Sequence, residues 1–247
     1  AVADKPEGPF YNIETILAPR GEGFFDGTTC HNPHIKLVDG KYCLFYIGNS
    51  NKKTDTKRVA LATSDSLNGP WKRPDKPLVE VGAADAWDNH CTSNPSFIKH
   101  PNGEYWLYYK SWNSDDYYNS DNPTVRGNRK YGLAIAKSLE GPYQKYEGNP
   151  IVDYSSLGNN RQLEDGNVFI ENGKFYMICR DMGRFDHEVG IILESEDGIH
   201  WSEPKVSYFG TEEYFFQAPA PKNLKKYGRF ERPQVLMQNG KPTHLFV

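Results

Sequence analysis

Acidic, amide and cationic side chains fall at matching places in four stretches of this 247-residue chain. His31-Asn32, Ser93-Asn94, Glu164-Asp165 and Glu231-Arg232 each stand just before a short apolar run. Two of these places carry carboxylates. Glu164 and Asp165 sit in Leu163-Glu164-Asp165-Gly166-Asn167, and Glu231 sits in Phe230-Glu231-Arg232-Pro233-Gln234. Two carboxyl groups sharing a pocket can cleave a glycosidic bond, one protonating the leaving oxygen while the other activates water or attacks carbon. The acid must keep its proton near neutral pH, which a raised pKa achieves. Single acidic residues at strand entries also bond backbone amides or pair with arginine. It is their recurrence at one register that points to catalysis.

Other polar residues surround these candidates. His31 and His90 could each act as a general acid, a sugar ligand or a metal ligand. No HxH or HExxH spacing occurs, so no dedicated transition-metal site is expected. Asn32 and Asn94 could contact sugar hydroxyls, and Trp87 could stack on the apolar face of a sugar ring. Arg180 could clamp a carboxylate or pair with Asp165 or Asp181, and Arg232 joins the substrate-contact set. Asp26 and Asp88 lie in matching loops, Phe24-Phe25-Asp26 and Ala86-Trp87-Asp88, which suggests one structural role repeated. Cys30, Cys43, Cys91 and Cys179 lack CxxC spacing. Cys43 and Cys179 read as buried strand thiols, whereas Cys30 and Cys91 precede equivalent strands and could face one another.

The elements that position these groups repeat with a period of roughly 65 residues, which marks one supersecondary unit used again and again. The turn glycines are Gly40, Gly103, Gly173 and Gly240. Asp-Gly and Asn-Gly turns feed aromatic and aliphatic runs at 42–46, 105–109 and 175–178, of the kind buried on both faces of a sheet. Third strands are expected at 59–64, 133–138 and 191–195, and an outer fourth opening at Trp71, Tyr143 and Trp201. Four antiparallel strands per unit describe a propeller blade. The expectation is an all-β fold forming one β-propeller domain across residues 1–247. Gly8-Pro9-Phe10 matches the end of a blade, and the last copy stops after its second strand. The two pieces could close one shared blade of a four-bladed ring. The preferred expectation is a five-bladed ring with one blade incomplete or missing from this sequence.

Composition agrees with many turns and little helix, with 14% aromatic residues, 22 Gly and 17 Pro. The net charge of −3 offers no basic face for nucleic acid. No apolar run approaches the ~18 residues of a membrane span. Ala1-Val2-Ala3 resembles the small-residue remnant of a signal-peptidase site. Long inserts at 82–92, 113–130, 153–164 and 207–231 are of a length that is usually functional.

The Asp39-Gly40-Lys41-Tyr42 hairpin, the Ser138-Leu139-Glu140-Gly141-Pro142-Tyr143 blade end and the Glu231-Arg232-Pro233-Gln234-Val235-Leu236 start of the last copy resemble five-bladed propeller glycoside hydrolases, namely family 43 and its relative family 117. The resemblance implies a periplasmic or extracellular enzyme acting on a plant or algal oligo- or polysaccharide by inversion. It implies no required cofactor, although the fold often holds calcium on its axis, and no nucleic-acid or membrane partner. The oligomeric state is left open. By blade position, Asp165 (or Glu164) and Glu231 match carboxylates of later blades, and the base Asp would lie on the missing blade. Asn32 and Asn94 stand where family 43 often has Asp-Pro. That departure turns the likeness towards family 117 and keeps open a carbohydrate-binding propeller without catalysis.

Overall fold

Three of the four hairpins turn on two consecutive left-handed residues, Asp39-Gly40, Asn172-Gly173 and Asn239-Gly240. This is the geometry that matches strand twist in a two-residue connection. In the second repeat Pro101 lengthens the turn, and only Gly103 has positive φ, at 92°. The computed structural model in which these turns are seen describes residues 2–121, 126–157, 162–214 and 228–247.

Four antiparallel sheets follow in chain order. The first contains β1 (Thr29–Val38), β2 (Lys41–Asn49) and β3 (Arg58–Ser64), with a bridge from Thr63 to Lys72 standing for a fourth strand. The second contains β4 (Ser93–Lys99), β5 (Tyr105–Ser111), β6 (Lys130–Ala136) and the short β7 (Gln144–Lys145). The third is β8 (Gln162–Glu171), β9 (Lys174–Met182), β10 (Gly190–Ser195) and β11 (Lys205–Tyr208). The last is a pair, β12 (Gln234–Gln238) and β13 (Lys241–Phe246). The one α-helix among the described residues, α1 (Ser114–Tyr118), is five residues long, so no helix is long and apolar enough to cross a membrane.

Period-2 alternation explains why the middle strands are apolar on both sides. In β5, Leu107 and Tyr109 pack against Phe45, Val59 and Leu61 of the first sheet, whereas Trp106 and Tyr108 pack against Val168, Phe175 and Met177 of the third. In β9, Met177 and Cys179 face the second sheet, and Ile178 faces Val235 and Met237 of the last. The second and third sheets are thus each sandwiched between their neighbours in sequence, as in a propeller. The last meets the first where the Gln234 side chain donates to the Pro33 carbonyl at 2.8 Å. The N-terminal segment meets β13 through Glu7–His244 at 3.1 Å and the edge-on rings of Phe10 and Phe246.

Phe45 and Phe97 stack at 4.6 Å between the first two sheets, and Phe97 is 1% exposed. Truncating Phe97 to alanine opens a cavity at that seam and is expected to cost about 3–5 kcal/mol, measured by denaturant unfolding.

The expected repeated role of Asp26 and Asp88 is visible. Asp26 accepts from Tyr46 Oη at 2.8 Å and pairs with Arg73 at 3.1 Å, while Asp88 accepts from Tyr109 Oη at 2.9 Å and pairs with Lys145 at 2.5 Å. Each carboxylate ties a second-strand tyrosine to a cation from the outer edge of its sheet. All four cysteines are free, so Cys30 and Cys91 are not joined. Parts of the inserts at 113–130, 153–164 and 207–231 lie outside the described residues.

Candidate active site

In the first three sheets the paired polar residues sit inside the innermost strands and not ahead of them. A register break interrupts β1 between His31 and His34, β4 between Ser93 and Ser96, and β8 between Glu164 and Asn167. At each break one residue is left-handed: Asn32 (φ 51°), Asn94 (46°) and Asp165 (55°), with Arg232 (56°) at the same place before β12. Asn and Asp tolerate this conformation through local hydrogen bonding. A bulge re-aims the side chain it carries. Here it delivers all four left-handed residues to one cavity of about 60 Å³. The residues two positions on, His34, Asn167 and Gln234, line the same cavity. That volume holds a few water molecules, so a sugar has to lie at its mouth.

Bonds between sheets fix this ring. Asn94 Nδ2 donates to Asp165 Oδ1, and the Arg232 backbone N–H donates to Asp165 Oδ2 at 3.3 Å. The Asn167 amide is pinned because its Oδ1 accepts from Val235 N at 3.0 Å, so its Nδ2 faces His34 Nδ1 at 3.3 Å. The His34 proton therefore sits on Nε2. Burial, then the nearby Lys36, pushes this imidazole down to about 3, so it is neutral.

Three carboxylates gather beside the cavity. Glu164 meets Lys110 Nζ, Arg129 Nε at 3.4 Å and Arg180 Nη1 at 3.8 Å. Glu231 meets the same Arg180 nitrogen at 2.9 Å, Arg229 Nε at 2.7 Å and Arg232 Nη1 at 3.6 Å. Arg180 therefore stands between Glu164 and Glu231, pairing with neither Asp165 nor Asp181. Asp181 instead accepts backbone N–H groups from Arg184, Phe185, Asp186 and His187 and organises that loop.

The two adjacent carboxyls of β8 have opposite fates. Burial opposes ionisation of Glu164, but Lys110 and then Arg129 outweigh it and hold that carboxyl well below the usual range. Burial, reinforced by the Glu164 charge, raises Asp165 to about 6. Asp165 can thus carry a proton under mildly acidic conditions beside a permanently ionised neighbour.

Of the other sequence candidates, His31 is half-buried with Nδ1 3.1 Å from Asn32 Oδ1, and burial followed by the charges of Lys57, Arg232 and Lys110 lowers its pKa. Trp87 and His90 lie elsewhere. Trp87 packs on the core between the first two sheets, its ring 5.8 Å from Tyr109. His90 is held by Thr54 Oγ1 at 2.8 Å and Ser114 Oγ at 3.1 Å, against the rings of Trp112 and Tyr117. Lys110, Arg129, Arg229, His34 and Asn167 belong to the site without having stood out in the sequence. Lys110 had a signal, because it follows its turn glycine by the same interval as Arg180.

An axial calcium would need six or more oxygen ligands. The cavity offers one carboxylate, Asp165, whose oxygens already accept from Asn94 and Arg232. The His34 nitrogen facing no partner carries a proton, and no group of three or more potential ligands occurs among the described residues.

The sequence profile of the glycosyl hydrolases family 32 N-terminal domain matches residues 21–228. The chain belongs to this family. A probable arabinan endo-1,5-alpha-L-arabinosidase A of Aspergillus terreus is 27% identical to this family 32 chain over 164 residues, covering 60% of the chain and 44% of the relative. Among solved structures, a family 117 glycoside hydrolase of the marine bacterium Zobellia galactanivorans superposes with a TM-score of 0.59 at 22% identity, covering 78% of this chain and 50% of that one. The family 32 beta-fructofuranosidase BmSUC1 of Bombyx mori gives 0.55 at 18% identity, covering 86% and 40%. The chain therefore spans about half the length of the relatives it matches. The likeness to propeller glycoside hydrolases read from the sequence holds.

Proposed function

We propose that this protein is a glycoside hydrolase, with Asp165 as the proton donor to the leaving glycosidic oxygen and Glu231 as the second carboxylate. The observation that carries the reading is Asp165 on the cavity wall, raised to about 6, with Glu231 of a separate repeat near enough for its charge to be felt there. Glu164 is bound by three cations, which suits it to setting the field around Asp165 better than to exchanging a proton. Glu231 is 24% exposed and open to water. The site requires no cofactor in this reading. Asn32, Asn94, Arg180 and His31 would hold the sugar at the cavity mouth.

The finer features belong to the same proposal: a single five-bladed propeller domain, an inverting mechanism, a plant or algal oligo- or polysaccharide as substrate, and action outside the cytoplasm. Family membership and the arabinanase relative support that substrate class. Glu231→Gln is expected to lower hydrolysis by roughly 10²–10⁴-fold while the melting curve is kept. Unchanged turnover would remove Glu231 from the mechanism.

A second reading is a carbohydrate-binding propeller without catalysis. It is favoured by Asn32 and Asn94, amides where carboxylates could stand. Release of reducing ends from a panel of oligosaccharides separates the two readings, since a pure binding protein gives none.

A further inference from the structure

The carboxylate cluster is outnumbered by its cations. Lys110, Arg129, Arg180, Arg229 and Arg232 all lie within 4 Å of Glu164 or Glu231, and Asp165 is the one acid that lines the neighbouring cavity among the described residues. Five positive groups thus face three carboxylates, in a chain whose overall charge is −3. Lys57 adds to the excess. It is felt electrostatically by both His31 and His90 and makes no ion pair among the described residues. None of the residues outside the described ranges is acidic, so none of them offsets the imbalance.

Surplus positive charge in a half-buried site is costly unless an anion joins it. Two buried donors also stand ready. Arg180 Nε and Tyr208 Oη have no hydrogen-bond partner among the described residues. Tyr208 lies close enough to Asp165, Arg180 and Glu231 to sense their charges.

We infer that the cavity mouth receives an anionic sugar residue, its carboxylate or sulfate group seated among Arg180, Arg229 and Arg232. This rests on the carbohydrate reading above and narrows it to acidic glycans. Guanidinium groups suit both anions because their planar N–H pairs match two oxygens at once. Arg229 and Arg232 are 48% and 54% exposed, and so are free to turn from Glu231 to an incoming anion. Arg180 is buried and fixed, and supplies the anchor.

Equilibrium binding tests this independently of turnover. The whole protein is titrated calorimetrically with three oligosaccharides of matched length: an oligogalacturonate, a sulfated oligogalactan and a neutral oligogalactan. One anionic ligand is expected to bind on the order of ten- to a hundredfold more tightly than the neutral one at low salt. The gap should narrow as sodium chloride is raised. Which arm binds tells a uronate from a sulfate ester. Replacing Arg229 and Arg232 together by glutamine should remove most of the preference while the circular dichroism spectrum and melting temperature are kept. Neutral binding as tight as both anionic arms, or no binding of either anionic ligand, overturns the inference. Hydrolysis of neutral glycans with no anionic preference would overturn it and leave the hydrolase reading standing. Anionic preference with no turnover of any glycan would do the reverse.

Discussion

Asp165→Asn should yield a folded protein whose kcat is roughly 10²–10⁴-fold below that of the parent, with KM little changed. The amide can still accept from Asn94 through its oxygen, so the ring of inner strands keeps that tie. It cannot give up a proton to a leaving oxygen. The parent should show a matching pH profile. Because the acid form is required and its pKa is raised to about 6, kcat/KM should have its high-pH limb near that pH. Above it, the rate should fall about tenfold per unit. Stability follows the same proton. A carboxyl whose folded pKa lies above its ordinary value contributes stability that is fully present below the ordinary value and is lost as pH rises through the folded one. For Asp165 that window runs from 3.8 to about 6. The melting temperature of the parent should therefore lose more across this window than that of the asparagine variant. Full activity in the variant would remove Asp165 from the chemistry, and superimposable pH–melting curves would show that its proton is not tied to folding.

Asp26→Ala is expected to harm the fold severely. The side chain is fully buried and accepts from Arg20 Nε at 2.6 Å, Arg73 Nη1 at 3.1 Å and Tyr46 Oη at 2.8 Å. Removing it takes from two largely buried cations their buried counter-charge, leaving Arg20 with Asp75 and Arg73 with the Ala18 carbonyl, and leaves the Tyr46 hydroxyl without this acceptor. Breaking a buried ion pair from one side typically costs about 3–5 kcal/mol. The urea midpoint should fall accordingly, and only part of the protein is expected to be recovered from expression at 37 °C. A midpoint within the error of the parent would mean that water replaces the carboxylate at little cost.

Much of the architecture was legible because sheets buried on both faces write a plain signal. Turn glycines, aromatic runs and third strands recur at one spacing, and Asp26 and Asp88 could be matched before their tyrosines were known. The bulge was not legible. Nothing in His31-Asn32-Pro33 announces that two residues will oppose one on the neighbouring strand, and this detail sends Asn32 into the cavity. Trp87 and His90 carry side chains suited to sugars, yet both are claimed by neighbouring aromatic rings that lie far off in sequence. Lys110 was overlooked because a lysine late in a strand reads as a solvated end. Its depth comes from Glu164, 54 residues away.

The left-handed position at each inner strand has a consequence for how this scaffold can change. Asparagine, aspartate and arginine all occupy it here, on the same backbone conformation, so that conformation accepts a neutral, an acidic or a basic side chain. Each repeat thus contributes one interchangeable wall panel. A single codon can make a panel neutral, acidic or basic on that backbone, and because Asp165 is bonded to Asn94 and to the Arg232 backbone, a change at one panel is passed to the next.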